Sequence, residues 1–320
     1  MIRSSYHILF VVLLSLILGY YLRGIEIGEF GYRNKVFEKI STLKMAEHIH
    51  DGDVTEKNRE HWDTHASTYD TRFQKTMEQL ISIIQEDRTM SFIGANWATE
   101  TSPPEHTVKL LDYACGTGLI TRALLPTITR AIGIDLSSSM VSQYNARASN
   151  QGLSSSEMFA HQGNLLSSEP APELEIEDLY QFDIAVVGLG FHHFSNPSLA
   201  ARKIGERLKK GGILAVVDFE SHDGYGNPHD HGEHGHGHGH HGHGHEHHEE
   251  LNEQAQQAKE TVTHHGFSEE EIKKIFVDAG VGADFGYMVL GKGIVFHGTG
   301  VEGGRKDMKR AVFMARGVKL

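Results

Sequence analysis

Apolar and polar positions alternate along the chain in a pattern that predicts strands and helices in turn. Apolar runs of strand length lie at 108–114, 131–136, 158–161, 182–189 and 213–219. Helical periodicity fills most of the gaps between these runs, at 119–125, 138–150 and 197–208. Such alternation is typical of a parallel sheet with helices on both faces.

The C-terminal part of the chain predicts a different pairing. A helix at 268–279 precedes two strands, 287–296 and 311–315, joined by a glycine-rich turn at 298–304. Two strands joined in this way favour an antiparallel pair at one edge of the sheet. We therefore expect an α/β fold, a Rossmann-like doubly wound sheet of seven mostly parallel strands with an antiparallel C-terminal edge hairpin.

The N-terminal segment, residues 1–24, is apolar and carries no Asp, Glu, Lys or Arg from residue 4 to residue 22. It is nearly long enough to span a bilayer, which takes roughly 20 residues. Basic residues after this segment favour a membrane anchor through residues 4–22, with the rest of the chain in the cytoplasm. Two alternatives are translation starting at Met45 and a cleaved signal peptide. Residues 25–54 are interpreted as a linker, and 55–320 as the folded domain.

The composition of the chain limits the kinds of partner that it can bind. Among 320 residues, 30 Lys and Arg face 42 Asp and Glu, for a net charge of −12, so the basic surface that grips nucleic acid is lacking. We expect no nucleic-acid partner. The single cysteine, Cys115, allows neither an internal disulfide nor a cysteine-based zinc site.

The segment D-Y-A-C-G-T-G, residues 112–118, joins a predicted strand to a predicted helix. It lacks the third glycine of the dinucleotide fingerprint and the lysine of a phosphate-binding loop. Asp112 would repel a pyrophosphate and suits a ligand with an ammonium group. Asp135 ends the next strand, where a carboxylate can accept hydrogen bonds from ribose hydroxyls.

These motifs resemble the class I S-adenosylmethionine-dependent methyltransferases of small molecules. W-D-T-H-A-S-T-Y-D, residues 62–70, is similar to the N-terminal helix of that family, and L-K-K-G-G-I-L-A-V-V-D, residues 208–218, to its fifth strand. The resemblance implies S-adenosylmethionine as cofactor, with ribose on Asp135 and adenine between Leu136 and Met140. The residues expected to bind the cofactor are Tyr69, Asp112, Ala114, Gly116, Gly118, Asp135, Leu136, Met140, Asn164, Leu165 and Gly188. Asn164 stands where many members have an acid, and its amide oxygen could accept the same bond from adenine N6.

Methyl transfer needs alignment of the acceptor and, for an oxygen or nitrogen acceptor, a base. V-G-L-G-F-H-H-F, residues 187–194, ends the fourth strand at the edge where such sheets bind ligands. His192 and His193 are therefore the candidate catalytic residues. The N-P-P motif of enzymes that methylate adenine or peptide amides is missing there, which favours a small-molecule acceptor.

Half of the 24 histidines lie in the His- and Gly-rich segment 221–250. We expect a disordered surface insertion, because glycine at this density opposes helix and strand. Alternating histidines, such as His234, His236, His238 and His240, can bind Zn²⁺ or Ni²⁺, although methyl transfer requires no metal. Low-complexity sequence with incidental metal affinity and a metal- or pH-responsive lid both fit this composition. The rival functions are a membrane-tethered lipid or quinone methyltransferase and a non-catalytic metal-binding protein on a methyltransferase fold.

Overall fold

Seven strands form one sheet in a computed structural model that describes residues 30–221, 261–296 and 308–320, with side chains placed from residue 54 onward. The strands are β1 (Lys109–Tyr113), β2 (Arg130–Asp135), β3 (Met158–Gln162), β4 (Phe182–Gly188), β5 (Leu208–Phe219), β6 (Ala283–Phe296) and β7 (Met308–Val318). Their order across the sheet is β3-β2-β1-β4-β5-β7-β6. The first five strands are parallel, and β7 runs antiparallel between β5 and β6. This confirms the predicted fold class.

Two helices, α1 (Phe30–Ile84) and α2 (Asp87–Ile93), precede the strands. The helices after them follow strands as the periodicity predicts: α3 (Leu119–Leu124), α4 (Ser138–Asn150), α5 (Pro197–Arg207) and α6 (Glu269–Asp278). Local chemistry sets the start of several of them. The Ser137 hydroxyl accepts a hydrogen bond from the Met140 N–H at 3.1 Å and so caps α4. Ser268 and Glu271 form a capping box at the start of α6.

The core consists of two apolar layers, one on each face of the sheet. Successive residues of each strand point to opposite faces, so Leu110 packs in one layer and Leu111 in the other. The first layer joins the sheet to the C-terminal half of α1 and to α3 and α4. The second joins it to α5 and α6. Strands β1, β2 and β4 are buried on both faces, which explains their continuous apolar runs.

The chain divides into two units, Met1–Asp53 and Val54–Leu320. Of the first unit the structure describes only helical backbone, beginning at Phe30. Most of the range 25–54, interpreted as a linker, is therefore helical. The backbone dihedrals of Phe73 leave the helical region and mark a kink in α1.

Two features of the sequence analysis lie outside the described residues: the apolar segment 1–24 and the His- and Gly-rich segment, from residue 222 onward. Their roles as anchor and metal-binding tract stay predictions. Within the three described ranges, no helix is long and apolar enough to cross a bilayer. In those same ranges, no group of three or more His, Cys, Asp and Glu side chains is arranged to hold a metal ion.

Candidate functional site

A cavity of about 900 Å³, including its open mouth, lies where the parallel strands end at their carboxyl edge. Ala114 follows β1, Asp135 ends β2, Gly163 follows β3 and Gly188 ends β4, and all four line the cavity. Helix α1 contributes lining residues from Val54 to Tyr69. In open α/β sheets this edge is the place where ligands bind.

The cavity brings together most of the residues predicted from sequence. Those that line it are Tyr69, Ala114, Gly116, Asp135, Leu136, Met140, Asn164, Gly188 and His193. Those that do not are Asp112, Gly118, Leu165 and His192. The division separates side chains that can touch a ligand from side chains that support the site.

The glycine loop has left-handed backbone at three positions. The φ angles of Ala114, Gly116 and Gly118 are 56°, 51° and 92°. A Cβ at Gly116 would meet no atom within 4 Å, so this part of the loop presents bare backbone to open space. A Cβ at Gly118 would lie 3.1 Å from the ring of Tyr144, so Gly118 serves close packing of the loop on α4.

Asp135 ties the end of β2 to the glycine loop. Its Oδ2 accepts a hydrogen bond from the Gly116 N–H at 2.8 Å, and its Oδ1 accepts one from the Ser137 N–H at 2.9 Å. Burial raises the pKa of this carboxyl to about 6, even though both bonds favour the ionised form. A buried carboxylate at the cavity wall is suited to accept hydrogen bonds from a ligand's hydroxyl groups.

Asp112 does not face the ligand cavity, although its place in the sequence motif suggests that it would. Its side chain is buried, and Oδ2 accepts hydrogen bonds from the Thr121 hydroxyl at 2.8 Å and the Thr121 N–H at 3.1 Å. Burial raises the pKa of Asp112 to about 7. The carboxyl therefore joins β1 to α3 beneath the loop, away from the cavity where a ligand's ammonium group would lie.

The side chain of Asn164 is hydrogen-bonded to other residues of the protein. Its Oδ1 accepts hydrogen bonds from the Tyr113 hydroxyl at 3.3 Å and from the Leu166 N–H at 2.9 Å. The Leu165 N–H in turn donates to the Tyr113 oxygen at 3.2 Å. The amide oxygen proposed for adenine N6 thus already accepts two bonds, and Tyr113 is a lining residue that the sequence analysis did not single out.

The rings of the two adjacent histidines lie 4.1 Å apart between centroids, but they have different hydrogen-bond partners. His192 is buried. Its ring Nδ1 lies 2.8 Å from Oδ1 of Asp218, and its backbone N–H donates a hydrogen bond to Oδ2 of the same carboxylate at 3.0 Å. Burial alone would raise the pKa of Asp218, but His192 and these hydrogen bonds hold it below its ordinary value. His192 is therefore part of a buried pair beneath the cavity.

His193 faces the cavity instead. Its Nδ1 lies 2.7 Å from the carbonyl oxygen of Thr261, which can only accept a hydrogen bond, so Nδ1 carries the proton. Burial and the neighbouring His192 lower the pKa of His193 to about 3. The ring is therefore neutral near pH 7, and Nε2 carries a lone pair.

Helix α1 closes one side of the cavity, where Trp62, a residue that the sequence analysis did not assign, lies next to the predicted Tyr69. The Trp62 ring packs edge-on against the rings of Tyr69 and His193, with centroids 5.9 and 5.4 Å apart. Seven residues separate Trp62 from Tyr69, which places both on one face of a helix. The seven-residue spacing from Tyr69 is therefore the sequence signal that could have identified Trp62 as a cavity residue.

Two carboxylates hold α1 against the domain. Asp63 accepts hydrogen bonds from the Ser137 hydroxyl at 2.6 Å and the Ser139 N–H at 3.0 Å, at the start of α4. Asp70 forms an ion pair with Arg147. Helix α1 is thereby fixed over the cavity by the helix that follows β2.

A glycine turn at the end of β1, an acid at the end of β2 and a cavity at the switch point of the sheet are features with which α/β proteins bind nucleoside-containing ligands. Residues 111–216 match the protein family described as "Methyltransferase domain". This match covers 106 of the 320 residues, so this part of the chain is similar to methyltransferase domains.

An uncharacterized methyltransferase of Schizosaccharomyces pombe is 30% identical over 111 residues, which cover 35% of this chain and 38% of that protein. The match thus spans less than half of the length of this relative. A SAM-dependent methyltransferase from Thermotoga maritima is similar at 18% identity and a TM-score of 0.46, over 82% of this chain and 99% of that one. A SAM-dependent methyltransferase from Aquifex aeolicus is similar at 15% identity and a TM-score of 0.43, over 76% and 97%.

Proposed function

We propose that this protein transfers a methyl group from S-adenosylmethionine to a small-molecule acceptor by in-line displacement, with His193 as the general base. The observation that carries the proposal is the position of His193, which donates a hydrogen bond from Nδ1 to the Thr261 carbonyl and lines the same cavity as Asp135 and the glycine loop. A cofactor site and a base in one cavity are what methyl transfer to an oxygen or nitrogen requires.

The residues at the cavity wall fit the cofactor. Asp135 would accept hydrogen bonds from the ribose hydroxyls, and Leu136 and Met140 would pack against adenine. The bare backbone at Gly116 leaves room for close approach of the methionine part. When bound, the sulfonium group supplies an electrophilic methyl carbon.

The bound cofactor would supply a methyl carbon to a lone pair of the acceptor, with the carbon–sulfur electron pair going to sulfur. An acceptor oxygen, or the nitrogen of an aromatic amine, becomes positively charged as it gains the methyl group, so its proton becomes acidic. His193 Nε2 takes that proton. A base with a low pKa is sufficient because these cations, unlike an aliphatic ammonium group, release a proton readily.

The test is transfer of labelled methyl groups from S-adenosylmethionine to a panel of simple phenols, amines and thiols. His193→Gln should lower the rate on an oxygen or nitrogen acceptor by about 10²- to 10⁴-fold, the usual contribution of a general base. Cofactor affinity measured by calorimetry should stay within threefold.

His161→Gln is the matched control, since His161 is a half-buried histidine on β3 outside the cavity lining. It should leave the rate unchanged. Transfer to no member of the panel, or a His193→Gln variant with the wild-type rate on an oxygen or nitrogen acceptor, would contradict the proposal.

A further inference from the structure

One polar atom at the cavity wall has no partner. Asn58 is only 6% exposed and lines the cavity from α1. Its Nδ2 donates to the Val54 carbonyl at 3.1 Å, which fixes the orientation of the amide. Its Oδ1 is buried and accepts no hydrogen bond within the described part of the chain. A buried acceptor left in this state destabilises the folded protein, so it points to a donor on a ligand.

The position of Asn58 along α1 assigns it to the acceptor side of the cavity. Tyr69 lines the cavity together with Asp135, the carboxylate proposed to hold the ribose, and the two are close enough to interact electrostatically. Asn58 precedes Tyr69 by eleven residues, which is roughly 16 Å at 1.5 Å per residue. Between them, one turn after Asn58, Trp62 packs on the proposed base His193.

The walls around Asn58 suit a flat, uncharged molecule. The rings of Trp62, His193 and Phe194 line the same cavity as Asn58, and Trp62 follows Asn58 by one helical turn. Among the lining side chains that the structure describes, none is Lys or Arg, and Asp135 is the single carboxylate. An acceptor bearing a carboxylate, phosphate or ammonium group would lose its hydration there without gaining a counter-charge.

We infer that Asn58 binds the methyl acceptor, an uncharged aromatic molecule with an O–H or N–H donor besides its nucleophilic group. The donor is held by Asn58 Oδ1, and the nucleophilic group meets His193. This inference rests on the proposed function, because it takes the cofactor to occupy the Asp135 side of the cavity.

The experiment measures binding of small probes to the protein saturated with S-adenosylhomocysteine, the product form of the cofactor. The neutral probes are catechol, resorcinol and hydroquinone, and the charged probes are 4-hydroxybenzoate and tyramine. Isothermal titration calorimetry should show at least one neutral probe binding tenfold or more tightly than both charged ones. Asn58→Leu should weaken that neutral probe about tenfold, the loss of one neutral hydrogen bond.

Affinity for S-adenosylhomocysteine should not change in Asn58→Leu, and neither should the melting temperature fall, because leucine removes an unsatisfied polar group. Asn58→Ala is the second variant and should lose the same probe affinity if leucine disturbs packing. Glu60→Leu, at an exposed position of the same helix, is the matched control and should bind all probes as the wild type does.

The inference is overturned if no neutral probe binds at 10 mM, if charged probes bind as tightly as neutral ones, or if both Asn58 variants keep wild-type probe affinity. Weakened cofactor binding in these variants also overturns it, because Asn58 would then belong to the cofactor side. Failure of the wild type to bind S-adenosylhomocysteine at all would instead refute the proposed function.

Discussion

Replacing Asp135 by asparagine tests the cofactor site most directly, because the side chain keeps its shape and loses its charge. In the structure each carboxylate oxygen accepts one backbone hydrogen bond, from the Gly116 and Ser137 N–H groups. An amide has one oxygen, so one of these N–H groups loses its acceptor. A hydrogen bond to a charged group contributes about 1.5–3 kcal/mol, which is the expected loss of stability.

The same substitution removes the cost of burying a charge. Burial raises the pKa of Asp135 from 3.8 to about 6, and about 2 units correspond to roughly 3 kcal/mol at pH 8. The two effects oppose each other, so the free energies of unfolding of variant and wild type should agree within about 2 kcal/mol at pH 8.

The pH dependence follows from the sign of this shift. A carboxyl whose pKa is raised by folding binds protons more readily in the native state, so its contribution destabilises the wild type as pH rises from about 4 through 6. Asp135→Asn lacks that contribution. The stability difference should therefore move by roughly 3 kcal/mol in favour of the variant between pH 4 and pH 8, measured by urea unfolding.

Cofactor binding should respond much more strongly. Two ribose hydroxyls would lose a charged acceptor, and at about 1.5–3 kcal/mol per bond the affinity should fall at least 100-fold. Calorimetric titration with S-adenosylmethionine measures this. Asp183→Asn, a partly buried carboxylate outside the cavity lining, is the control and should leave affinity unchanged. An Asp135→Asn variant within threefold of wild-type affinity would refute the assignment of Asp135 to the ribose.

Three further substitutions probe the supports of the site. Gly188→Ala should weaken S-adenosylmethionine binding in calorimetry and lower the melting temperature, since the new alanine Cβ would lie 2.4 Å from Ile120 Cγ1. Unchanged values would show that Ile120 moves aside without cost. Ala114→Gly should raise the free energy of unfolding in urea by about 0.5–1 kcal/mol, because a φ of 56° strains alanine, and a loss of stability would count against that strain. Asp218→Asn should cost about 1.5–3 kcal/mol in the same assay, because the amide has one oxygen and a buried hydrogen bond from His192 loses its carboxylate acceptor; a loss below about 0.5 kcal/mol would argue against a stabilising role of this pair.

Much of the fold could be predicted from sequence because its signals are local. The apolar runs of β1 to β5 and the helical periods of α4 and α6 depend on residues close in the chain. The glycine loop could be found for the same reason, since left-handed backbone at Gly116 and Gly118 requires a particular residue type at a particular step.

Local sequence patterns predicted the ends of strands and the N-terminal helix less well. Strand β5 begins at Leu208, five residues before the apolar run starts, because Leu208 pairs with Phe182 of β4 and the backbone of Gly211 and Gly212 forms hydrogen bonds with Lys319. The helical backbone from Phe30 has no matching apolar period in the sequence.

The sequence by itself thus determined the order of elements, the sheet edge at which a site would lie and the acids that end β1 and β2. Tertiary structure alone decided which side chains reach the cavity. Asp112 turns to Thr121 while Asp135 lines the wall, and His192 pairs with Asp218 while His193 faces inward. The direction of a side chain depends on partners distant in sequence: Asp218 lies 26 residues beyond His192. Short-range periodicity carries no information about such contacts.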